Sequence, residues 1–191
     1  MRLFAAIELS EDVSEGLQDW WAQASDMLTQ AGWRPTPAHL WHLTLAFYGD
    51  VGADDADDLS EQLSECAAQS ASLHLQTGRF GVFPRPARPR VFWAGVEDVG
   101  HEKSLKRLAH CCRRAGHATV RKRSAREAAF RGHITVARAR GSVTPLDDGR
   151  MQTMPPVPPV PKLYWRADRF SLFQSILRPE GPQYRRLETF Y

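Results

Sequence analysis

Cysteine is scarce in this sequence, and long apolar runs are absent. The 191 residues include only three cysteines, Cys66, Cys111 and Cys112, too few for a disulfide framework. We expect reduced, mostly buried thiols, and no second Cys/His pair has the spacing of a zinc site. No segment approaches the roughly 18 apolar residues of a membrane helix. Glu8 interrupts the apolar start, which is too short for a signal peptide. We therefore expect a cytoplasmic protein that needs no membrane.

The net charge of +3 hides an uneven distribution of charged residues. Residues 1–70 contain 2 Lys+Arg and 13 Asp+Glu, whereas residues 101–140 contain 12 Lys+Arg and 2 Asp+Glu. A dense basic segment is typical of proteins that bind polyanions such as RNA. We expect its run Arg121-Lys122-Arg123 to contact RNA. A basic surface that binds nothing is the alternative, and charge alone does not separate the two.

A repeat runs through the chain. Residues 2–8 resemble residues 90–97, and a helical pattern follows each of them. Next come His42-Leu43-Thr44-Leu45 in the first half and His133-Ile134-Thr135-Val136 in the second. The spacing from the start of the repeat to its histidine is 40 residues in one half and 43 in the other. Two linked matches in the same order predict a duplicated, pseudo-two-fold structure.

Hydrophobic periodicity places the elements around these motifs. Predicted helices cover about 11–31, between Ser10 as N-cap and Gly32, then 54–70, and a third that closes near Gly116. Predicted strands cover 2–9, 40–48, one or two stretches within 72–83, 90–96 and 133–138, with a closing hairpin of 169–177 and 183–191. We interpret the proline-rich segment 154–161 as a rigid connection.

The two His-x-Thr motifs suggest acid–base chemistry at a phosphate. Residues i and i+2 of a strand face the same way, so His42 lies beside Thr44 and His133 beside Thr135. Near neutral pH, one imidazole can be neutral while the other is charged, as a base and an acid require. Threonine hydroxyls can donate to an anion between them. Because neither motif contains a carboxylate, a metal-bridged hydrolase is poorly supported.

The motifs and their context resemble the 2H phosphoesterase superfamily, and within it the RNA 2′,3′-cyclic phosphodiesterase, LigT-like or 2′-5′ RNA ligase family. The resemblance rests on the extended first motif, residues 42–51, the start of the chain, the Val91-Phe92-Trp93 strand, Arg138 and the closing hairpin with Tyr184. It covers essentially the whole chain. One departure is Gly132, where the family usually has proline before the second histidine.

The resemblance implies an α+β fold of two intertwined lobes forming one domain over residues 1–191, with two antiparallel sheets flanking a central cleft and helices outside. It implies hydrolysis of RNA 2′,3′-cyclic phosphate ends to 2′-phosphomonoesters without metal or cofactor, and reversible 2′-5′ ligation. His42 and His133 would be the catalytic pair, with His42 as acid and His133 as base. Thr44, Thr135 and Arg138 would bind the phosphate. We expect a monomer that acts on RNA or a nucleotide with a cyclic phosphate end.

Strand alternation raises two questions about this site. Arg138 lies five residues after His133, so it reaches the phosphate only if the strand bulges or ends first. Tyr48 and Phe47 are candidates for base or ribose contact, and alternation places Tyr48 on the His42 face and Phe47 in the core. Two other functions stay open: an RNA-end-binding module without turnover, and a phosphodiesterase for a small cyclic nucleotide.

Overall fold

A computed structural model describes residues 1–85, 88–100, 103–119, 129–140 and 157–191. The described helices are α1 (Glu11–Gln30), α2 (Ala53–Ala68) and α3 (Ser104–Thr119). The described strands are β1 (Arg2–Glu8), β2 (Trp33–Pro35), β3 (His42–Asp50), β4 (Leu73–Phe83), β5 (Val91–Asp98), β6 (His133–Ala139), β7 (Tyr164–Ala167), β8 (Phe170–Arg178) and β9 (Gly181–Phe190). The predicted α+β class is confirmed.

The strand order shows the predicted duplication. The strands follow the order β7-β4-β5-β6-β3-β1-β8-β9, and every pairing is antiparallel. In each half the motif strand, β3 or β6, pairs with the first strand of its repeat, β1 or β5. A third strand then follows in each half, β8 or β4. The two halves are therefore related by an approximate two-fold axis between β3 and β6.

The two expected antiparallel sheets meet at a single point. Leu43 of β3 pairs with Ile134 of β6, and this is the one registered pair between the described parts of these strands. Farther along β6 the same edge pairs with β2, from Trp33 to Pro35. The sheets thus join into one curled sheet at the start of the two motif strands.

All three helices cover one face of the sheet, which we call the helix face. Alternating strand residues such as Leu43 and Ile134, both fully buried, pack there with apolar residues of α1, α2 and α3. On the opposite face, the cleft face, Phe4, Ala6 and Phe173 form a smaller apolar cluster. Strand β1 is buried on both faces, which explains its unbroken run of buried residues. No helix in the described ranges is long and apolar enough to span a membrane.

Most predicted elements form within one to three residues of their expected ends. The segment 72–83 is one strand, and the hairpin turns at Pro179 and Glu180. Two short strands, β2 and β7, were not predicted, because three or four residues carry too little periodicity. A 3₁₀ turn, Ala38–Leu40, replaces the predicted start of β3. Residues 154–156 of the proline-rich segment and the run 121–123 lie outside the described residues.

The expectation of three reduced thiols is wrong for two of the cysteines. Cys66 in α2 and Cys111 in α3 form a disulfide, with their Cα atoms 5.7 Å apart. They are 45 residues apart in sequence, and only the side-by-side packing of the two helices brings them together. Cys112 is a free, buried thiol, and burial raises its pKa to about 12.

Candidate active site

A β-bulge interrupts both motif strands at the same place. In β3, Ala46 pairs with Ala5 and Thr44 pairs with Ala6, which leaves Leu45 as the extra residue. The second half repeats this arrangement. In β6, Ala137 pairs with Phe92 and Thr135 pairs with Trp93, and Val136 is extra. The extra residue and the alanine after it both pack on the helix face in each half. A bulge reverses the alternation of the residues beyond it.

The bulge brings Phe47 and Arg138 to the cleft face. Phe47 is 70% exposed, and its ring lies 5.9 Å from the ring of Phe4 in the cleft-face cluster. The prediction that Phe47 is core and that Tyr48 shares the face of His42 is therefore wrong. Tyr48 packs on the helix face, where its hydroxyl donates to the carbonyl oxygen of Cys112. Arg138, five residues after His133, was expected to share the histidine's face only if the strand bulged between them. The bulge at Val136 meets this condition.

The two histidines make the same hydrogen bond. Nδ1 of His42 lies 2.7 Å from the carbonyl oxygen of Leu40, and Nδ1 of His133 lies 2.7 Å from that of Arg131. A carbonyl oxygen only accepts, so each Nδ1 carries the proton and donates. In the neutral form each Nε2 therefore has a free lone pair. Each imidazole is held by the carbonyl oxygen of the residue two positions before it, so both halves of the repeat favour the same histidine tautomer.

Aromatic rings surround each imidazole. The rings of Phe4 and Tyr184 lie 5.0 and 5.3 Å from the His42 ring. On the other side, the rings of Phe83 and Trp93 lie 5.0 and 6.1 Å from the His133 ring. Phe4 and Phe83 were not predicted as site residues. Both lie in predicted strands, Phe4 within 2–9 and Phe83 at the end of 72–83, and no sequence pattern links either residue to the histidines.

Burial lowers the pKa of His42 to about 4. The hydrogen bond to Leu40 opposes this shift, while the positive charges of His133 and Arg138 add to it. Burial likewise lowers the pKa of His133 below its usual value of 6.5, with smaller contributions from Arg138 and Arg131. Both imidazoles are therefore mainly neutral at pH 7 in the free protein. This differs from the expectation of one neutral and one charged ring.

Arg138 is the cation common to the site. Its charge lowers the pKa of His42, of His133 and of the Tyr184 hydroxyl, the last against a larger increase caused by burial. Thr44 and Thr135, both half-buried, lie on the cleft side of the same strands. Leu43 pairs with Ile134 in antiparallel register. The next residues along the two strands therefore lie opposite each other, Thr44 beside His133 and Thr135 beside His42. The structure thus brings the five predicted catalytic and phosphate-binding residues to one face.

Two glycines shape the His133 side. A Cβ at Gly81 would lie 2.3 Å from the Trp93 indole, so glycine leaves room for this ring beside the histidine. A Cβ at Gly132 would lie 2.6 Å from the carbonyl oxygen of Val96, whose amide donates to the carbonyl oxygen of Gly132. Glycine before the second histidine thus allows a close backbone approach to β5, which explains the departure from proline.

Basic residues from the described part of the basic segment lie on both faces of the sheet. Arg131 and Arg138 lie at the cleft, and the Arg131 guanidinium stacks over the Trp93 ring at 5.5 Å. The basic residues of α3 lie on the other side of the sheet, since this helix packs on the helix face. Within the described residues, no group of three or more His, Cys, Asp or Glu side chains is placed to hold a metal ion.

Comparisons with known proteins find similar sequences and folds over the length of this chain. The model of the family described as LigT like Phosphoesterase matches residues 7–93, which include the first motif. An RNA 2′,3′-cyclic phosphodiesterase of Thermus thermophilus is 32% identical, over 100% of this chain and 89% of that protein. One from Archaeoglobus fulgidus is 29% identical, over 100% and 99%. The crystal structure of Escherichia coli LigT complexed with 3′-AMP superposes with a TM-score of 0.77 at 27% identity, over 99% of this chain and 96% of that one.

The likeness to the Thermus protein covers the whole chain, including the second motif strand, which lies beyond the family-model match. The paired motifs, the duplicated sheet and these full-length similarities lead to one conclusion. The chain belongs to the LigT-like phosphoesterase family of the 2H superfamily.

Proposed function

We propose that this protein hydrolyses RNA 2′,3′-cyclic phosphate ends to 2′-phosphomonoesters, with His42 and His133 as the acid–base pair. The observation that carries the proposal is the identical Nδ1 hydrogen bond of the two imidazoles on one face of the sheet. It leaves one Nε2 in each half able to accept or donate a proton. The names of the relatives support the substrate class.

The proposed reaction is an in-line displacement at phosphorus. One neutral Nε2 takes a proton from water as the water oxygen forms a bond to phosphorus. The other imidazole, protonated, donates its proton to the 3′ oxygen as the P–O3′ bond breaks. The products are a 2′-phosphomonoester and a 3′-hydroxyl. Each proton transfer can contribute about 10²–10⁴-fold in rate.

Binding of the anionic substrate prepares the acid. The free imidazoles are neutral because they are buried near positive charge. A phosphate anion beside them supplies the opposite charge, which raises a histidine pKa and favours the protonated form. Arg138 and the hydroxyls of Thr44 and Thr135 would hold the non-bridging oxygens, where charge increases in the transition state. The chain's own residues suffice for these steps, and we propose that no metal takes part.

The test is turnover of a short oligonucleotide with a 2′,3′-cyclic phosphate end, in the presence of a chelator. We expect a 2′-phosphate product, identified by ³¹P NMR, and loss of most of the rate in His42→Ala and in His133→Ala. The matched control is His39→Ala, because His39 is exposed in the 3₁₀ turn just before β3. The double variant should be little slower than either single variant, as for groups that act together.

Four outcomes would contradict the proposal. Full activity in either single variant would exclude the two-histidine mechanism. Loss of activity with chelator and recovery with a divalent ion would indicate metal chemistry. Tight binding of the oligonucleotide without turnover would favour an RNA-end-binding module. Turnover of a mononucleotide alone would favour a small cyclic nucleotide as the substrate.

A further inference from the structure

A basic groove lies on the helix face, outside the site described above. It has a volume of about 380 Å³ and runs along α3 beside the end of α2. Arg107, His110 and Arg114 follow one another at intervals of three or four residues, so they form one stripe along the helix. Lys103 extends this stripe just before α3 begins at Ser104. Lys106 widens this stripe, and Gln69, the residue directly after α2, forms part of the opposite wall. We call this feature the α3 groove.

The cations of the α3 groove are exposed and not neutralised by the rest of the described chain. All five basic side chains are exposed. No described carboxylate forms an ion pair with Lys103, Lys106, Arg107 or Arg114, and Arg107 donates to the Ser104 hydroxyl instead. The stripe extends over about 17 Å at ~1.5 Å per residue. Such a row of unpaired positive charge has the length of several consecutive phosphates of a nucleic-acid strand.

The α3 groove and the catalytic cleft face in opposite directions. The other side of α3 packs on the sheet through Leu105, Leu108 and Cys112. The histidines lie across the sheet from this packing, on the cleft face. A nucleotide bound at His42 and His133 therefore does not reach the groove, and only a longer chain contacts both.

The composition of the surface distinguishes between classes of partner. A helix that binds a membrane surface places apolar residues against the lipid, but the apolar side of α3 is buried in the core. A protein interface has an apolar centre surrounded by polar residues. Among the described residues that line the α3 groove, all charged side chains are basic, and the half-buried Cys111 is the one apolar residue. This pattern fits a uniform polyanion, for which binding is dominated by phosphate contacts.

We propose that the α3 groove binds the sugar–phosphate backbone of RNA, away from the end that reacts. The choice of RNA among polyanions rests on the proposed function. The groove adds affinity for long substrates without touching the reacting phosphate. It therefore makes the enzyme selective for RNA over mononucleotides through binding rather than through chemistry.

The experiment measures binding and turnover separately. The test variant is Lys106→Glu/Arg107→Glu, and the matched control is Lys162→Glu/Arg178→Glu, an equal charge change at exposed cations outside the groove. The probe for binding is a 20-nucleotide RNA with an ordinary 3′-hydroxyl end, followed by fluorescence anisotropy at several salt concentrations. The probe for chemistry is a dinucleotide with a 2′,3′-cyclic phosphate end.

We expect the groove variant to bind the long RNA at least about tenfold more weakly, with a salt slope smaller by about two, one for each lost phosphate contact. Its kcat/KM on the dinucleotide should equal that of the wild type. The inference would be overturned if the groove variant bound the long RNA as tightly as the wild type, or if the control variant lost as much affinity as the groove variant. It would also be overturned if polyglutamate displaced the RNA equally well from the groove variant and from the wild type. Because the long RNA carries no cyclic phosphate, groove-dependent binding would stand even if the wild type hydrolyses nothing, and the two proposals fail separately.

Discussion

Leu43 and Ile134 are direct partners across the junction between the two halves of the molecule. Each lies one residue after a motif histidine, and both side chains are fully buried on the helix face. The neighbouring residues on the cleft face are His42 and Thr44 in one strand and His133 and Thr135 in the other. This one pair therefore sets how the two His-Thr motifs lie relative to each other.

Removing side-chain volume at this junction should destabilise the fold. For Ile134→Ala we expect a loss of about 2–5 kcal/mol in the free energy of unfolding, and for Ile134→Val about 0.5–1.5 kcal/mol. Urea denaturation measures both values. Val99→Ala is the control, because Val99 is 48% exposed and surface changes of this kind usually stay within about 0.5 kcal/mol. Equal effects of Ile134→Ala and Val99→Ala would contradict the packing.

The lowered histidine pKa values predict an acidic optimum. The base must be neutral and the acid protonated, and kcat/KM reports the free enzyme. Since the pKa values of both imidazoles lie below 6.5, we expect the maximum of kcat/KM below pH 6.5 and a fall toward higher pH as the acid loses its proton. A profile from pH 4 to 9 on the cyclic dinucleotide measures this. A maximum above pH 7 would show that burial does not control these groups.

The pH profiles of His42→Ala and His133→Ala would show which histidine is the acid and which is the base. The variant that loses the limb on the acidic side lacks the base. The expectation from family resemblance gives this role to His133. The pKa of about 4 keeps His42 neutral over most of the pH range, and this favours His42 as the base. Residual activities of the two alanine variants as a function of pH distinguish these assignments.

Replacing Arg138 should separate charge from hydrogen-bond geometry. Its positive charge lowers the pKa of both histidines, so Arg138→Ala should move the pH profile toward higher pH. Arg138→Lys keeps the charge and should keep the profile. If Arg138 holds the phosphate as proposed, both variants would lose a two-pronged guanidinium contact. We then expect kcat/KM to fall about 10- to 100-fold, as for a charge-assisted hydrogen bond of about 1.5–3 kcal/mol. If the pH dependence of kcat/KM were the same in Arg138→Ala as in the wild type, the Arg138 charge would not affect the histidines.

Phe47 offers a test of base stacking. Because its ring is 70% exposed beside Phe4, Phe47→Ala should leave the melting temperature almost unchanged. Loss of stacking should weaken substrate binding by about 1–3 kcal/mol whatever the base, seen as a higher KM on the cyclic dinucleotide. Leu177→Ala is the matched control, since Leu177 is also 70% exposed but lies in β8. An unchanged KM in Phe47→Ala would remove this ring from the site.

Tyr48 should behave in the opposite way. Its hydroxyl donates to the Cys112 carbonyl oxygen, so Tyr48→Phe should reduce the free energy of unfolding by about 0.5–1.5 kcal/mol. Turnover should not change, because the ring packs on the helix face. Thermal denaturation and a steady-state assay on the same preparation test both parts. If Tyr48→Phe lowered turnover without reducing the free energy of unfolding, the Tyr48 hydroxyl would act in the cleft and not on the helix face.

The sequence predicts the repeat and the histidine pair because each motif is local. His42 and Thr44 are two residues apart, and regular alternation assigns their common face correctly. The same rule fails at Phe47, since a bulge depends on pairing with β1 and leaves no mark in the alternation itself. The Cys66–Cys111 disulfide escapes prediction for a similar reason, since it depends on packing between helices far apart in sequence.

The twin bulges have a consequence for the regiochemistry of the proposed reaction. Phe47 and Arg138 occupy equivalent positions, paired with Phe4 in one half and with Val91 in the other. The two imidazoles before the bulges make the same hydrogen bond through Nδ1. A cleft with equivalent side chains beyond the bulges would accept an RNA end in either direction and open its cyclic phosphate to both isomers. In the proposed reaction, the aromatic ring of Phe47 at one end and the guanidinium of Arg138 at the other would remove this degeneracy. The histidines would accept and donate the protons, and the unlike residues beyond the bulges would favour one leaving oxygen.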